Sequence, residues 1–285
     1  MVQLEISNQE AVIPFAKDGQ EILALLRKKS PEDQIQPVID RIHAQAVDRS
    51  IPDPLVLSTD AYVTSICYIG SKSLSHVLSC IERCKERLLA LGPQSPAAQK
   101  QIIESVMDYW KDQPGIGVNI VDKLLNYTIL SPASVVEWSL ARDGNRLGES
   151  HVYEMISSTV GKVTGRVRQV VRAGLVPGLL PEQRAVVDQT VATERKGMKD
   201  LFALMEDSLM GWATGSKDQL VQSGDGTVTE DMEMIKQWGE RWLRVFRRKF
   251  AVEEAWFLEI GKEKIPEVAG ENGNGEMKID EEIIS

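Results

Sequence analysis

Cysteine and histidine are both scarce in this chain. Cys67, Cys80 and Cys84 are its only thiols, and His43, His76 and His151 its only imidazoles. An odd trio of cysteines in 285 residues argues against a disulfide framework and for a reducing compartment. Long apolar runs are missing too: no stretch approaches the ~20 residues of a membrane-spanning helix. The start, MVQLEISNQEAVIPF, has neither a basic segment nor a continuous apolar one, so no secretory signal is expected and the protein reads as soluble and intracellular. A net charge of −9 excludes bulk attraction to nucleic acid. Convincing period-2 strands are also lacking, since VLST and NYTIL are too short to count. Locally the deficit is of the opposite sign: between Glu154 and Glu182 there is no acid at all.

What is present is helical. Segments of helix formers are punctuated by Ser, Pro and Gly: 18–29, 31–49, 59–70, 73–91, 95–112, 117–130, 131–142, about 146–173, 181–213 and roughly 230–260. SIPDPLVL (50–57) reads as a proline-rich connector, Pro114-Gly115 as a helix stop, and SGDGT (223–227) as a loop. Helix pairs recur about every 35–40 residues, which predicts an all-α, HEAT-like α-solenoid of antiparallel helix pairs. The expected organisation is a helical lead-in over 1–58, a helical repeat domain over 59–262, and a disordered acidic tail over 263–285.

The chemistry concentrates in CYIGSKSLSHVLSCIERCKERLLAL (67–91). On one continuous helix, Leu74, Val77, Leu78, Ile81, Leu88 and Leu91 share a core-facing arc that includes Cys84, with Cys80 at its edge and His76 outside. His76 and Cys84 lie about 12 Å apart along such a helix, too far to share a zinc ion. Gly-Ser-Lys-Ser lacks the upstream glycine and the strand of a phosphate loop, and GIGVNI (115–120) lacks the strand and third glycine of a dinucleotide fingerprint. GIGVNI therefore reads as a helix–helix turn, and the sulfurs and imidazole as fillers between packed helices. No catalytic constellation, metal or cofactor site is expected. Glu104 and Asp108, four residues apart, are most simply surface acids.

Two basic surfaces stand out. Lys162, Arg166, Arg168 and Arg172 fall in one arc opposite Ile156, Val160, Val163, Val167, Val170 and Val171. They form either a solvated face or a contact for RNA phosphate or an acidic partner. In the last helix Trp238, Trp242, Val245, Phe246, Phe250, Trp256 and Phe257 form an apolar arc, with Arg241, Arg244, Arg247 and Arg248 on the other side.

The series YIGSKSLSHVLSCIERCKERLLAL, IIESVMDYWKDQPGIGVNIVDKLLNYTILSPASVVEWSL and HVYEMISSTVGKV resembles the large subunits of nuclear cap-binding complexes. The Lys72, Ser73, Ser75, His76 step, Val121 to Leu125 and Trp138 carry most of the likeness, which runs over roughly 12–260 and is strongest from 60 to 165. The match is to the third of three helical domains related to the middle domain of translation-initiation factor four-gamma, the chain beginning near the end of the second. The resemblance implies a non-enzymatic scaffold without cofactor. It would dock and order a small RNA-recognition-motif subunit, which grips the methylated guanine cap between aromatic rings. Capped RNA would be met indirectly through that partner. It further implies roles in mRNA processing, export and surveillance, contacts with processing and export factors, no membrane, and a nuclear location with shuttling to the cytoplasm. Animal members carry a long charged coiled-coil hairpin after the position of Val163, where this chain has GLVPGLLP between two helices. The competing expectations are a translation or decay scaffold that docks an RNA helicase, and a direct RNA binder using the Lys162–Arg172 face.

Overall fold

The computed structural model describes residues 16–51, 53–141, 145–215 and 230–263. They form α1 (Ala16–Arg27), α2 (Glu32–Asp48), α3 (Pro54–Gly70), α4 (Leu74–Arg83), α5 (Lys85–Leu91), α6 (Pro96–Tyr109), α7 (Pro114–Asn126), α8 (Pro132–Ser139), α9 (Ser150–Ala173), α10 (Pro181–Ala213) and α11 (Glu230–Glu263). No strand occurs among the described residues, and no helix there is long and apolar enough to cross a membrane. The SGDGT loop and the acidic tail lie outside the described residues, apart from Glu263 at the end of α11.

Proline starts these helices more often than it ends them. Pro54, Pro96, Pro114, Pro132 and Pro181 all sit in the first turn, where a missing N–H costs nothing because that donor has no intrahelical acceptor. This corrects two expectations. The 50–57 connector is helical from Pro54 onward, capped by the Asp53 side chain, which accepts from Val56 N at 3.4 Å. GIGVNI is the beginning of α7 rather than a turn. Ser73, Ser95 and Ser131 accept from the backbone N–H groups of His76, Ala98 and Ser134, so the distinctive Lys-Ser-x-Ser-His step is a helix cap.

Cross-helix partners reveal how the stack is built. Along α10 and α11 the numbers run in opposite senses: Arg195 meets Glu254, Glu206 meets Arg247, and Trp212 lies against Gly239. These two helices are antiparallel. Helices two apart run together instead. Asp122 and Asn126 of α7 meet Ser158 and Lys162 of α9, and Gln99 and Glu104 of α6 meet Ser131 and Trp138 at α8. Alternating direction with parallel next-nearest neighbours is the pattern of stacked helical hairpins.

Two apolar clusters fill the stack. The first runs from Ile22 on α1 through Tyr62, Ile102, Ile120 and Leu124 to Met155, so α1 and α2 share one core with the later helices. The second runs from Val136 to Phe246 and includes Leu209 and Trp212. Helices α8 and α9 belong to both, because neighbouring residues point opposite ways: Val135 and Met155 face the first cluster, Val136 and Ile156 the second. Trp212 also donates from Nε1 to the Leu140 carbonyl at 3.3 Å, which ties the end of α10 to the end of α8. The last helix departs from its wheel at Val245, which is 46% exposed while Trp242 and Phe246 are buried.

Candidate functional site

The helix expected over 73–91 is broken at Cys84, where α4 ends and α5 begins. Cys80 is buried within α4, and Cys84, the residue between the two helices, lies half-buried at the margin. Both thiols line a cleft of about 640 Å³ between the α1–α2 turn and α3 to α5. Leu26, Ile35, Ile39, Tyr62 and Ile66 make its apolar lining, and Lys29, Glu32, Arg83, Glu86 and Arg87 its charged edge. All three sulfurs pack in or against the first apolar cluster, as expected, and Cys80 and Cys84 in addition line this cleft.

Cys84 is not set up as a nucleophile in this cleft. Burial pushes the Cys84 thiol above its ordinary value, and its hydrogen bond with the Tyr62 hydroxyl and nearby Arg83 only partly oppose that. Cys67, deeper in the core, is pushed up to about 12 by burial. Both are neutral thiols at neutral pH, and the thiolate is the reactive form. His43 is the imidazole at the cleft, with Nε2 2.8 Å from Ser58 Oγ. The Ser58 hydroxyl donates its proton to the Leu55 carbonyl at 3.1 Å, so it accepts from His43 Nε2–H. A serine in that arrangement is not being deprotonated, and Ser58 is fully buried. His76 is exposed, paired with Ser73, and does not line the cleft. Among the described residues no group of three metal-ligating side chains is placed to hold an ion.

Arg87 is the unusual group in the cleft. Its side chain is 8% exposed and forms an ion pair with Glu32. Both terminal nitrogens donate to Gln36 Oε1 at 3.1 Å, and the guanidinium lies over the Tyr62 ring, 5.4 Å from its centroid. Among the described residues its Nε–H has no acceptor. Burial holds the guanidinium below its ordinary value. Nothing in the local pattern marks this residue, because ERCKERL reads as a routine charged helix face.

The basic arc of α9 is brought together, and it is largely neutralised. Lys162 contacts Asp122 at 3.1 Å and Asn126 at 2.7 Å, and Arg166 meets Glu194 at 3.2 Å. Arg168 donates to Glu253 at 2.8 Å and lies over Trp256. Arg172 is exposed at the end of the row. On α11, Arg247 is bound to Glu206 and Arg244 to Glu240, Arg241 covers Trp238, and Arg248 is exposed. The acids that meet the α9 row come from α7, α10 and α11, so a wheel of α9 alone cannot show them. Glu253, 3% exposed, receives both Arg168 and Lys249, and Glu254 receives Arg195 and Lys199. Nor is Glu104 a plain surface acid: it accepts from Trp138 Nε1 and from Arg146, which stacks on the same indole.

Comparison with known proteins agrees with this architecture. The family model described as MIF4G like matches residues 8–255. The chain is 27% identical over 158 residues to nuclear cap-binding protein subunit 1 of Schizosaccharomyces pombe, covering 55% of this chain and 19% of that protein. With the Xenopus tropicalis protein of that name it shares 22% over 232 residues, 72% of this chain and 28% of the relative. With the Anopheles gambiae one it shares 26% over 157 residues, 53% and 19% respectively. The chain thus spans well under a third of the length of these relatives.

Proposed function

Because this chain belongs to the MIF4G-like family, an all-helical repeat fold, we propose that it is the C-terminal helical part of a nuclear cap-binding complex's large subunit. The observation that supports the reading most directly is the alignment with subunit 1 from yeast, frog and mosquito, reaching 72% of the chain in the frog case. In this reading the chain is a non-enzymatic scaffold. The lead-in expected over 1–58 and the repeat domain expected over 59–262 act as one support, since α1 and α2 share a core with the later helices. The scaffold docks a small RNA-recognition-motif subunit and holds that partner's mobile segments in their cap-gripping shape. Ordering costs met by a preformed surface no longer oppose ligand binding, so apparent cap affinity rises without a cap pocket in the scaffold. The shared cores of α8 and α9 favour such a role, because they make two clusters one continuous support. The cellular setting is the nucleus, with shuttling to the cytoplasm, in mRNA processing, export and surveillance.

The test is reconstitution. The purified chain, extended upstream where its gene allows, is mixed with the small subunit and titrated with a methylated guanosine cap analogue. Association with that subunit, and cap binding only in the mixture, is the expected result. Cap-specific binding by the chain alone would overturn it, as would selective co-purification of an RNA helicase in place of the small subunit.

A further inference from the structure

The cleft between the α1–α2 turn and α3 to α5 plays no part in that reading, and its chemistry is specific. Its floor is aliphatic, from Ile35, Ile39 and Ile66, all about 2% exposed. Its edge carries more unmatched positive than negative charge. Glu32 is already bound to Arg87. Among the described residues Lys29 and Arg83 are exposed without a carboxylate partner, Arg83 touching only the Cys80 sulfur, and Glu86 is the one unmatched acid on the edge. In a chain of net charge −9 this is a local reversal of sign. The Arg87 Nε–H, on a side chain more than nine-tenths buried, lacks an acceptor that a buried donor ordinarily finds.

We infer that this cleft is a docking site for a short acidic–aliphatic peptide segment of a protein partner. An aliphatic side chain lies on the floor, and flanking acids meet Lys29 and Arg83. A volume near 640 Å³ suits a few residues of an extended segment rather than a folded domain. A nucleic acid would exploit the cations but leave the aliphatic floor empty, because the ring lining the cleft, Tyr62, is buried beneath Arg87 and offers no stacking face.

The test uses the full chain and an array of peptides in which Leu and Ile alternate with Glu and Asp. Each peptide has a twin of equal aliphatic content carrying Lys in place of the acids. The expected result is selective retention of the acidic set, with the best binder shifting the methyl resonances of Ile39, Ile66 and Ile69. Arg83→Glu combined with Lys29→Glu removes two exposed cations and weakens the acidic peptide about tenfold, with a matching gain for the lysine twin. This variant leaves the Arg87–Glu32 pair intact, so its fold is checked by an unchanged melting temperature. Equal retention of both sets, methyl shifts away from the cleft, or displacement of the peptide by an oligouridine would each overturn the proposal.

Discussion

Replacing Glu253 by Gln removes one charge from the contact between α9 and α11. The carboxylate is 3% exposed and is held by Arg168 of α9 at 2.8 Å and by Lys249 of its own helix at 3.0 Å. Removing one member of a buried ion pair costs about 3–5 kcal/mol, because the surviving charge stays desolvated and unmatched. Here the cost is smaller. Arg168 keeps 33% exposure and its stacking on Trp256, and the amide oxygen still accepts one hydrogen bond, so we expect about 2 kcal/mol. For a chain of this size that lowers the melting temperature by about 3–4 °C. The loss should appear in the transition that reports the second core, followed through Trp212 and Trp242. The effect also has a pH signature. Burial alone would raise the Glu253 carboxyl, but hydrogen bonds and charge from Arg168 and Lys249 outweigh it and hold the group below the ordinary glutamate range. A depressed folded value means stability fully present above that ordinary range and lost as pH falls through the lowered one. The gap between wild type and Glu253→Gln should therefore be widest at neutral pH and close below about pH 4.5. Urea unfolding of wild type, Glu253→Gln, Arg168→Met and the double variant, with exposed Glu259→Gln as control, measures both quantities. A coupling energy below about 0.5 kcal/mol, or a gap that does not close in acid, would refute the assignment of this pair as a structural clasp.

The packing implies three more outcomes. At Gly239, where a Cβ would sit 2.9 Å from Ala213 N and 3.0 Å from Trp212 Cβ, Gly239→Ala should force α10 and α11 apart and cost about 1–3 kcal/mol in thermal unfolding. Ser50 ends α2 with φ 55°, a left-handed conformation that favours glycine, so Ser50→Gly should stabilise by about 1 kcal/mol; a loss would show that the serine is held by something beyond the turn. Reversing Lys162, Arg166 and Arg172 to Glu, with Arg168 spared because it holds Glu253, should leave RNA affinity and its salt slope unchanged in a gel-shift series; a large drop would restore the α9 face as a phosphate contact.

How far the sequence can be read depends on whether the relevant neighbours lie within one helical turn. Ser95 and Ser131 announce their helices because capping is a three-residue interaction, and α10 runs over the expected 181–213 because Leu180-Pro181 and the apolar spacing act locally. Pro114 misleads for an equally local reason: proline is compatible with the first turn of a new helix as well as the end of an old one. Around Cys84 the wheel ranks two sulfurs the wrong way round: Cys80, expected at the edge of the arc, is buried, and Cys84, expected inside it, is half-buried between α4 and α5. The basic arc of α9 is visible from its own spacing, while its neutralising acids are not.

Sequence alone therefore determined the helical class, the hairpin stacking and the family, because these rest on periodicity, caps and ordered motifs within short windows. Only the tertiary structure decided which charges are spent. It pairs Arg168 with Glu253, 85 positions apart, and sets Arg87 against Gln36, 51 apart. Pairings over such separations depend on how the helices pack in space, and no local pattern of residues encodes them.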